Sequence, residues 1–325
     1  MQLTVSTVAI DGQRTIDGDL YPHVYECKTQ GATIEVVCNW IRAHRQELSA
    51  RSDAVGTILL RGFPIATGQE FDAVVTAFDF PVFTYEESLS NAVRRNITPK
   101  VFTANEAPSD FTILMHHEMA QTPIYPSKLF FFCEQAPESG GATPVCRSDE
   151  LFRILSQREP AFARDCEVKG LKYTHVMAGN DNPSSGMGRS WVNTLGTDSR
   201  AGAEMRMQEL GYTWEWLDDG SCRATTPVLQ AVRNVGGRKT FFNQLVAFSR
   251  GLLEKRDDAS HSIRYGDDTP FDVEPLAEVA AIAEECAVDL PWQNGDVALV
   301  DNYLTMHGRR SFTGDRRVLA SLIAS

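Results

Sequence analysis

The run Ser127-Lys-Leu-Phe-Phe-Phe-Cys133, set between Pro126 and Pro137, limits what this chain can become more than any other segment. It is too short for a stable helix and rich in aromatic side chains that suit a pleated surface. It therefore reads as a strand in a sheet core, with Phe130, Phe131 and Phe132 as packing groups rather than a stacking platform. Such a strand needs partners, and the neighbouring sequence offers them. Gly141-Ala-Thr-Pro-Val145 is a second short β-favouring piece, and between Asn96 and Arg147 the chain keeps breaking at Pro and Gly, the texture of antiparallel sheet. Gly56-Thr-Ile-Leu-Leu-Arg-Gly-Phe-Pro64 and Val297-Ala-Leu-Val300 have the same character.

Helices are expected beside these strands. From Thr33 to Leu48 the apolar residues Ile34, Val37, Cys38, Ile41 and Leu48 form one stripe at helical spacing. Thr67 and Glu70 stand at capping-box spacing ahead of Phe71 to Phe78, and Ser148 is placed to cap a helix through about Leu155. Glu274 to Cys286 has Pro275 in its first turn and Leu276, Val279, Ile282 and Cys286 on one face. Helices that flank strands without alternating with them predict a mainly β, α+β class. No repeat and no linker divides the chain, so one domain over 1–325 is expected, with the Gly/Ser/Asn/Asp-rich stretch around 179–199 as a lid insertion.

Charge removes two classes of partner. With 31 basic against 43 acidic residues the net charge is −12, which argues against nucleic acid and anionic membranes, both of which need a positive face. No apolar run approaches the roughly 20 residues of a membrane span, and no basic-then-apolar leader opens the chain. Seven scattered cysteines without a CxxC pair read as reduced thiols, so a soluble cytoplasmic protein is expected.

Met115-His-His-Glu-Met119 is the first segment with chemistry. His116 and Glu118 are two apart, and on an extended backbone alternate residues face the same side. A third ligand is offered by His307, in Met306-His-Gly-Arg309 beyond the strand-like Val297 to Val300. Two imidazoles and one carboxylate on one face of a metal leave the other face open, the arrangement of non-heme Fe(II) oxygenases. The same set could hold Zn(II) and activate water. Gly308 would let the backbone approach an ion closely. Arg309, Arg310, Arg316 and Arg317 gather positive charge suited to a dicarboxylate, a load that the Thr143 hydroxyl could share. His117, next to a ligand on a strand, faces the other side and reads as packed. His23, His44, His175 and His261 are assigned no role. Asn243 is a candidate for substrate contact, and Asp301 and Asn302 for orienting the distal strand.

Taken in order, these motifs resemble the taurine dioxygenase (TauD/TfdA-like) superfamily of Fe(II)- and 2-oxoglutarate-dependent oxygenases, and within it the syringomycin-biosynthesis-type (SyrP-like) branch. The resemblance runs through Leu60-Arg-Gly-Phe-Pro64, His116-His-Glu118, Tyr125 to Cys133, Glu138-Ser-Gly-Gly-Ala-Thr143, Ser190 to Asp198, Trp216 to Gly220 and Phe242-Asn-Gln244. It continues through Pro291 to Asp296 and Asp301-Asn302 with His307-Gly-Arg309. It implies a double-stranded β-helix, or jelly roll, holding iron through His116, Glu118 and His307. It further implies that 2-oxoglutarate is held at its distal carboxylate by Thr143 and by Arg316 or Arg317, since alternation lets only one of that pair face inward. The implied reaction consumes O2 and 2-oxoglutarate, releases succinate and CO2, and oxidises an unactivated C–H bond.

Two departures narrow this. Where taurine-type enzymes carry an arginine four residues beyond the cosubstrate arginine, this chain has Ala320 or Ser321, which argues against an alkylsulfonate. Glu118 is present where related halogenases have a small residue, which argues against halogenation. The branch implies hydroxylation of an amino acid or amino-acid-derived group, free or tethered to a carrier protein, in specialised metabolism such as antibiotic biosynthesis. Desaturation and epoxidation use the same residues. A zinc hydrolase and a non-catalytic metabolite-binding jelly roll are the readings from other classes.

Overall fold

The structure is a computed structural model that describes residues 1–84, 87–90, 94–104, 107–182, 188–254 and 262–324. Its largest sheet runs in the order Val5–Thr7, His23–Cys27, Thr57–Arg61, Val297–Asp301, Lys128–Gln135, Arg317–Ile323 and Val82–Phe83, with Phe102–Thr103 also on Arg317–Ile323. One pair, His23–Cys27 with Thr57–Arg61, is parallel. The aromatic run sits centrally: Phe130 and Phe132 oppose Leu299 and Val297 on one side and Ser321 and Leu319 on the other. A second sheet of four strands runs Val288–Leu290, Thr143–Arg147, Thr305–Arg309, Ile113–His116.

Side-chain alternation sorts these strands into layers. Leu60, Phe130, Phe132, Leu299 and Leu319 point to one face and pack with Val37, Ile41 and Leu48 of the helix Ile34–Val55 and with Phe71, Val74 and Phe78 of the helix Gly68–Phe78. Their neighbours Leu59, Phe131, Cys133, Ala298, Val300 and Ala320 point to the other face, where they meet Val145, Val288 and Leu290 of the four-stranded sheet. That sheet turns Met115, Cys146 and Met306 outward, onto the helices Ser148–Arg158, Pro160–Lys169 and Leu276–Cys286. The order is helices, sheet, sheet, helices, an α+β arrangement with an interior between the sheets.

The first helix outruns its expected end at Leu48 because Ser52 and Val55 continue the buried stripe. It stops at Gly56, whose φ of 92° favours glycine and where an added Cβ would fall 2.3 Å from Thr305 Oγ1. The capping box at Thr67 and Glu70 is present with both of its hydrogen bonds. Ser148 does not cap its helix. It is the first helical residue, and its hydroxyl donates to the Leu304 carbonyl, tying the helix to the strand that carries His307. Within the glycine-rich stretch, Trp191–Leu195 is a short helix capped by Ser190 and packed with Leu89, Met177 and Tyr212. Residues 183–187 of the expected lid, and His261, lie outside the described residues. A third sheet, Thr213–Trp216, Cys222–Thr225, Leu171–Met177 and Ile263–Tyr265, was not legible in the sequence.

All seven cysteines are buried and free. Among the described residues no helix is long and apolar enough to cross a membrane. At the edge of the sheet interface Arg61 donates to both Asp296 oxygens and to the Pro291 carbonyl, and both side chains are almost wholly buried. Burial holds the Asp296 carboxyl above its ordinary pKa even beside this guanidinium. Arg61→Met leaves that carboxylate without its partner and is expected to cost about 3–5 kcal/mol in urea unfolding, while adding Asp296→Leu recovers most of the loss.

Candidate metal centre

The antiparallel ladder between Ile113–His116 and Thr305–Arg309 sets His307 directly opposite His116. Residues paired this way project to the same face, and the two ring centroids lie 4.5 Å apart. The strand ends at His116. Glu118 then lies just beyond it, on a turn that Met119 closes with φ 58°, and its Oε2 stands 3.8 Å from His116 Nε2 and 3.5 Å from His307 Nε2. One ligand atom from each of the three lies within 4.8 Å of the others.

Protonation is arranged for a cation. His116 Nδ1 is 2.9 Å from the Leu114 carbonyl, which can only accept, so Nδ1 carries the proton and the Nε2 lone pair faces Glu118. Burial above all pushes the His307 imidazole down to about 4 and leaves it neutral at physiological pH. Burial alone would raise the Glu118 carboxyl, but its polar contact with the two imidazoles outweighs that and holds it well below the carboxylate range. Two neutral nitrogens and one carboxylate oxygen, converging from one side, fit a divalent metal with positions left open.

His117 faces away, as expected. It is fully buried, its ring lies 4.7 Å from that of Phe242, and burial pushes its pKa down to about 3. Gln244 Nε2 donates to the His117 carbonyl. Asn243 does not reach the centre; its amide is spent on the Ala231 carbonyl and the Leu245 N–H. Gly308 serves a different need from the one expected. An added Cβ would fall 2.6 Å from the Ile113 carbonyl, so the close approach is between the two ligand-bearing strands.

The four arginines separate. Arg310 ion-pairs with Glu284 and Asp289, and Arg317 is half-exposed and pairs with Glu134. Arg309 is buried, donating to the carbonyls of Ala107, Pro108 and Phe111. Arg316 lies inward: its Nε donates to the Gly141 carbonyl, and burial with the charge of Arg309 lowers its pKa to about 10. Val318 belongs to the inner core, and a register irregularity separates it from the half-exposed Arg317. Arg309, Arg316, Arg317 and Asp315 all line a cavity of about 690 Å³ with Gln135 and Phe312. Thr143 is buried on the strand face that His307 shares through its partner Val145, and its Oγ1 accepts from Trp292 Nε1 at 3.0 Å. The Thr143 proton is thereby left to donate elsewhere.

The family description "Taurine catabolism dioxygenase TauD, TfdA family" matches residues 20–322. The chain belongs to the TauD/TfdA family. With that family it is an Fe(II)- and 2-oxoglutarate-dependent dioxygenase, using O2. It is 38% identical to a clavaminate synthase-like protein of Arabidopsis thaliana over 87% of this chain and 86% of that one. It is also 29% identical to the dapdiamide synthesis protein DdaC of Enterobacter agglomerans over 82% of each. Among solved structures, asparagine oxygenase in complex with Fe(II), 2S,3S-3-hydroxyasparagine and succinate superposes with a TM-score of 0.54 at 14% identity, covering 90% of this chain and 83% of that one.

The contact of Trp292 with Thr143 was not legible in the sequence: Trp292 stands in the stretch Pro291 to Asp296, and only the fold brings its indole N–H to a residue 149 positions away. Gly308→Ala is expected to force the two ligand-bearing strands apart, lowering stability by about 1–3 kcal/mol and weakening Fe(II) binding in anaerobic titration.

Proposed function

We propose that this TauD/TfdA-family enzyme hydroxylates an unactivated C–H bond of an amino acid or amino-acid-derived group, free or tethered to a carrier protein. In this reading His116, Glu118 and His307 hold the iron within a double-stranded β-helix, and the whole chain is one domain. The observation that carries it is the convergence of those three donors at one point, in a chain that also turns Arg316 inward with its Nε held by the Gly141 carbonyl. Iron(II) held there supplies the chemistry that couples decarboxylation of 2-oxoglutarate to oxidation of the substrate.

The chain's own residues account for the rest. Arg316, anchored through Nε, keeps its terminal N–H groups for the distal carboxylate, and Thr143, oriented by Trp292, adds a hydroxyl donor. A zinc hydrolase gives that pair nothing to do. Arg94, partly buried, has a charge that reaches His307 and would offer a counter-charge to a substrate carboxylate. The segment 179–199 is read as a lid excluding water. Arg189 joins it to the Ser88 and Ser90 carbonyls, and Ser88 in turn donates to Met119 Sδ, next to Glu118. The relative named for dapdiamide synthesis, and the fold neighbour that holds hydroxyasparagine, support an amino-acid-derived substrate.

Anaerobic Fe(II) followed by 2-oxoglutarate is expected to give the weak visible band of a chelated complex, which His116→Ala abolishes. A metal-loaded protein without that band would sink the reading. Arg316→Ala is expected to weaken 2-oxoglutarate binding by about 10-fold or more, since it removes a charge-assisted pair, and Arg317→Ala to leave it unchanged. Trp292→Phe, which keeps the ring and removes the donor, is expected to weaken 2-oxoglutarate binding by about 3- to 10-fold with Fe(II) affinity intact.

A further inference from the structure

His116 and His307 are held by a β-ladder, but Glu118 lies past the last paired residue of its strand, on a turn with a left-handed residue behind it. A ligand so placed needs its own anchor. Asn302 supplies one. Its Oδ1 accepts from the Glu118 N–H at 2.7 Å, and its Nδ2 donates to the Glu118 carbonyl at 3.0 Å and to the Pro126 carbonyl at 2.7 Å. The Asn302 backbone is used as well, since His117 Nδ1 donates to its carbonyl and its N–H donates to Ser127 O. The residue is fully buried, at the turn that leads directly into the strand of His307.

We propose that Asn302 is a positioning residue, whose side-chain amide replaces the ladder partner that Glu118 lacks and fixes where its carboxylate points relative to His307. The proposal rests on the reading of His116, Glu118 and His307 as iron ligands. Only Asn fits the role. Both a donor and an acceptor must face one peptide, so Asp would turn an oxygen toward two carbonyls and Leu would leave three buried polar groups without partners. Because one side chain grips the Glu118 peptide while its own backbone opens the distal strand, carboxylate and distal imidazole share one reference point. Metal coordination tolerates only a few tenths of an ångström, so this reference matters more than a fold contact of equal strength elsewhere.

The test uses the full chain as wild type, Asn302→Ala, Asn302→Asp and Thr67→Ala. Thr67 is the stability control because its hydroxyl accepts from the Glu70 N–H at the start of the helix Gly68–Phe78, on the outer face of the large sheet. Thermal midpoint, Fe(II) affinity and the anaerobic Fe(II)–2-oxoglutarate band are read for each. Both Asn302 variants are expected to bind Fe(II) about 10- to 100-fold more weakly and to shift or broaden the band. Thr67→Ala is expected to lose stability with affinity and band unchanged. A folded Asn302 variant with wild-type affinity and band overturns the proposal, whatever its midpoint. If neither variant folds, hydrogen exchange of the 116–120 amides in wild type decides: slow exchange without metal, changing about twofold or less on adding Mn(II), supports preorganisation, and fast exchange that collapses on metal addition overturns it. A wild type that gives no iron band fails the ligand reading, whereas a wild-type band that Asn302→Ala retains fails this inference alone.

Discussion

The pairing of His307 with His116 across two short antiparallel strands is the contact on which the rest of the molecule turns. A slip of one residue would send one imidazole to the outer face, where Met306 and Met115 already pack against helices. Register is therefore held from several directions. Val145 pairs with His307 from the opposite edge, Gly308 lets the Ile113 backbone come close, and Ser148 ties the following helix to Leu304 at the start of the distal strand. Apolar packing on the outer face and ligand convergence on the inner face are two results of the same alternation.

The interior between the sheets is where polar chemistry can be expensive and therefore selective. Arg316 and Arg309 are both withdrawn from solvent, one steadied by the Gly141 carbonyl and the other by three carbonyls of the 107–111 segment. Burial, and then the charge of Arg309, depress the Arg316 pKa. In a chain with a net charge of −12 this local gathering of guanidinium groups stands apart from the acidic balance of the whole.

Much of the site was legible from residues alone because it obeys the period of two. His116 and His307 share a side because they pair across the ladder and His117 faces away, whereas Glu118 reaches the two imidazoles from the turn beyond the strand. Which of Arg316 and Arg317 turns away from solvent was not legible, because a register irregularity sits at the start of the final strand, between Arg317 and Val318. Arg309 and Arg310 read alike as positive charge suited to a dicarboxylate, yet one is buried among carbonyls and the other is held by Glu284 and Asp289. Ser148 had the composition of a cap and instead serves a contact with a residue 156 positions away.

What the sequence by itself determined is therefore local and periodic: which segments are strands and helices, which faces are apolar, and which side chains share a side. Hydrophobic alternation and turn chemistry act over a few residues, so they are written in order along the chain. Only the tertiary structure decided which distant groups meet. Trp292 on Thr143, Asn302 on Glu118 and Glu134 on Arg317 are pairings across 149, 184 and 183 positions, and a long loop costs little more to close than a short one. Nothing in local spacing can choose among such partners; the packing of one sheet on the other does.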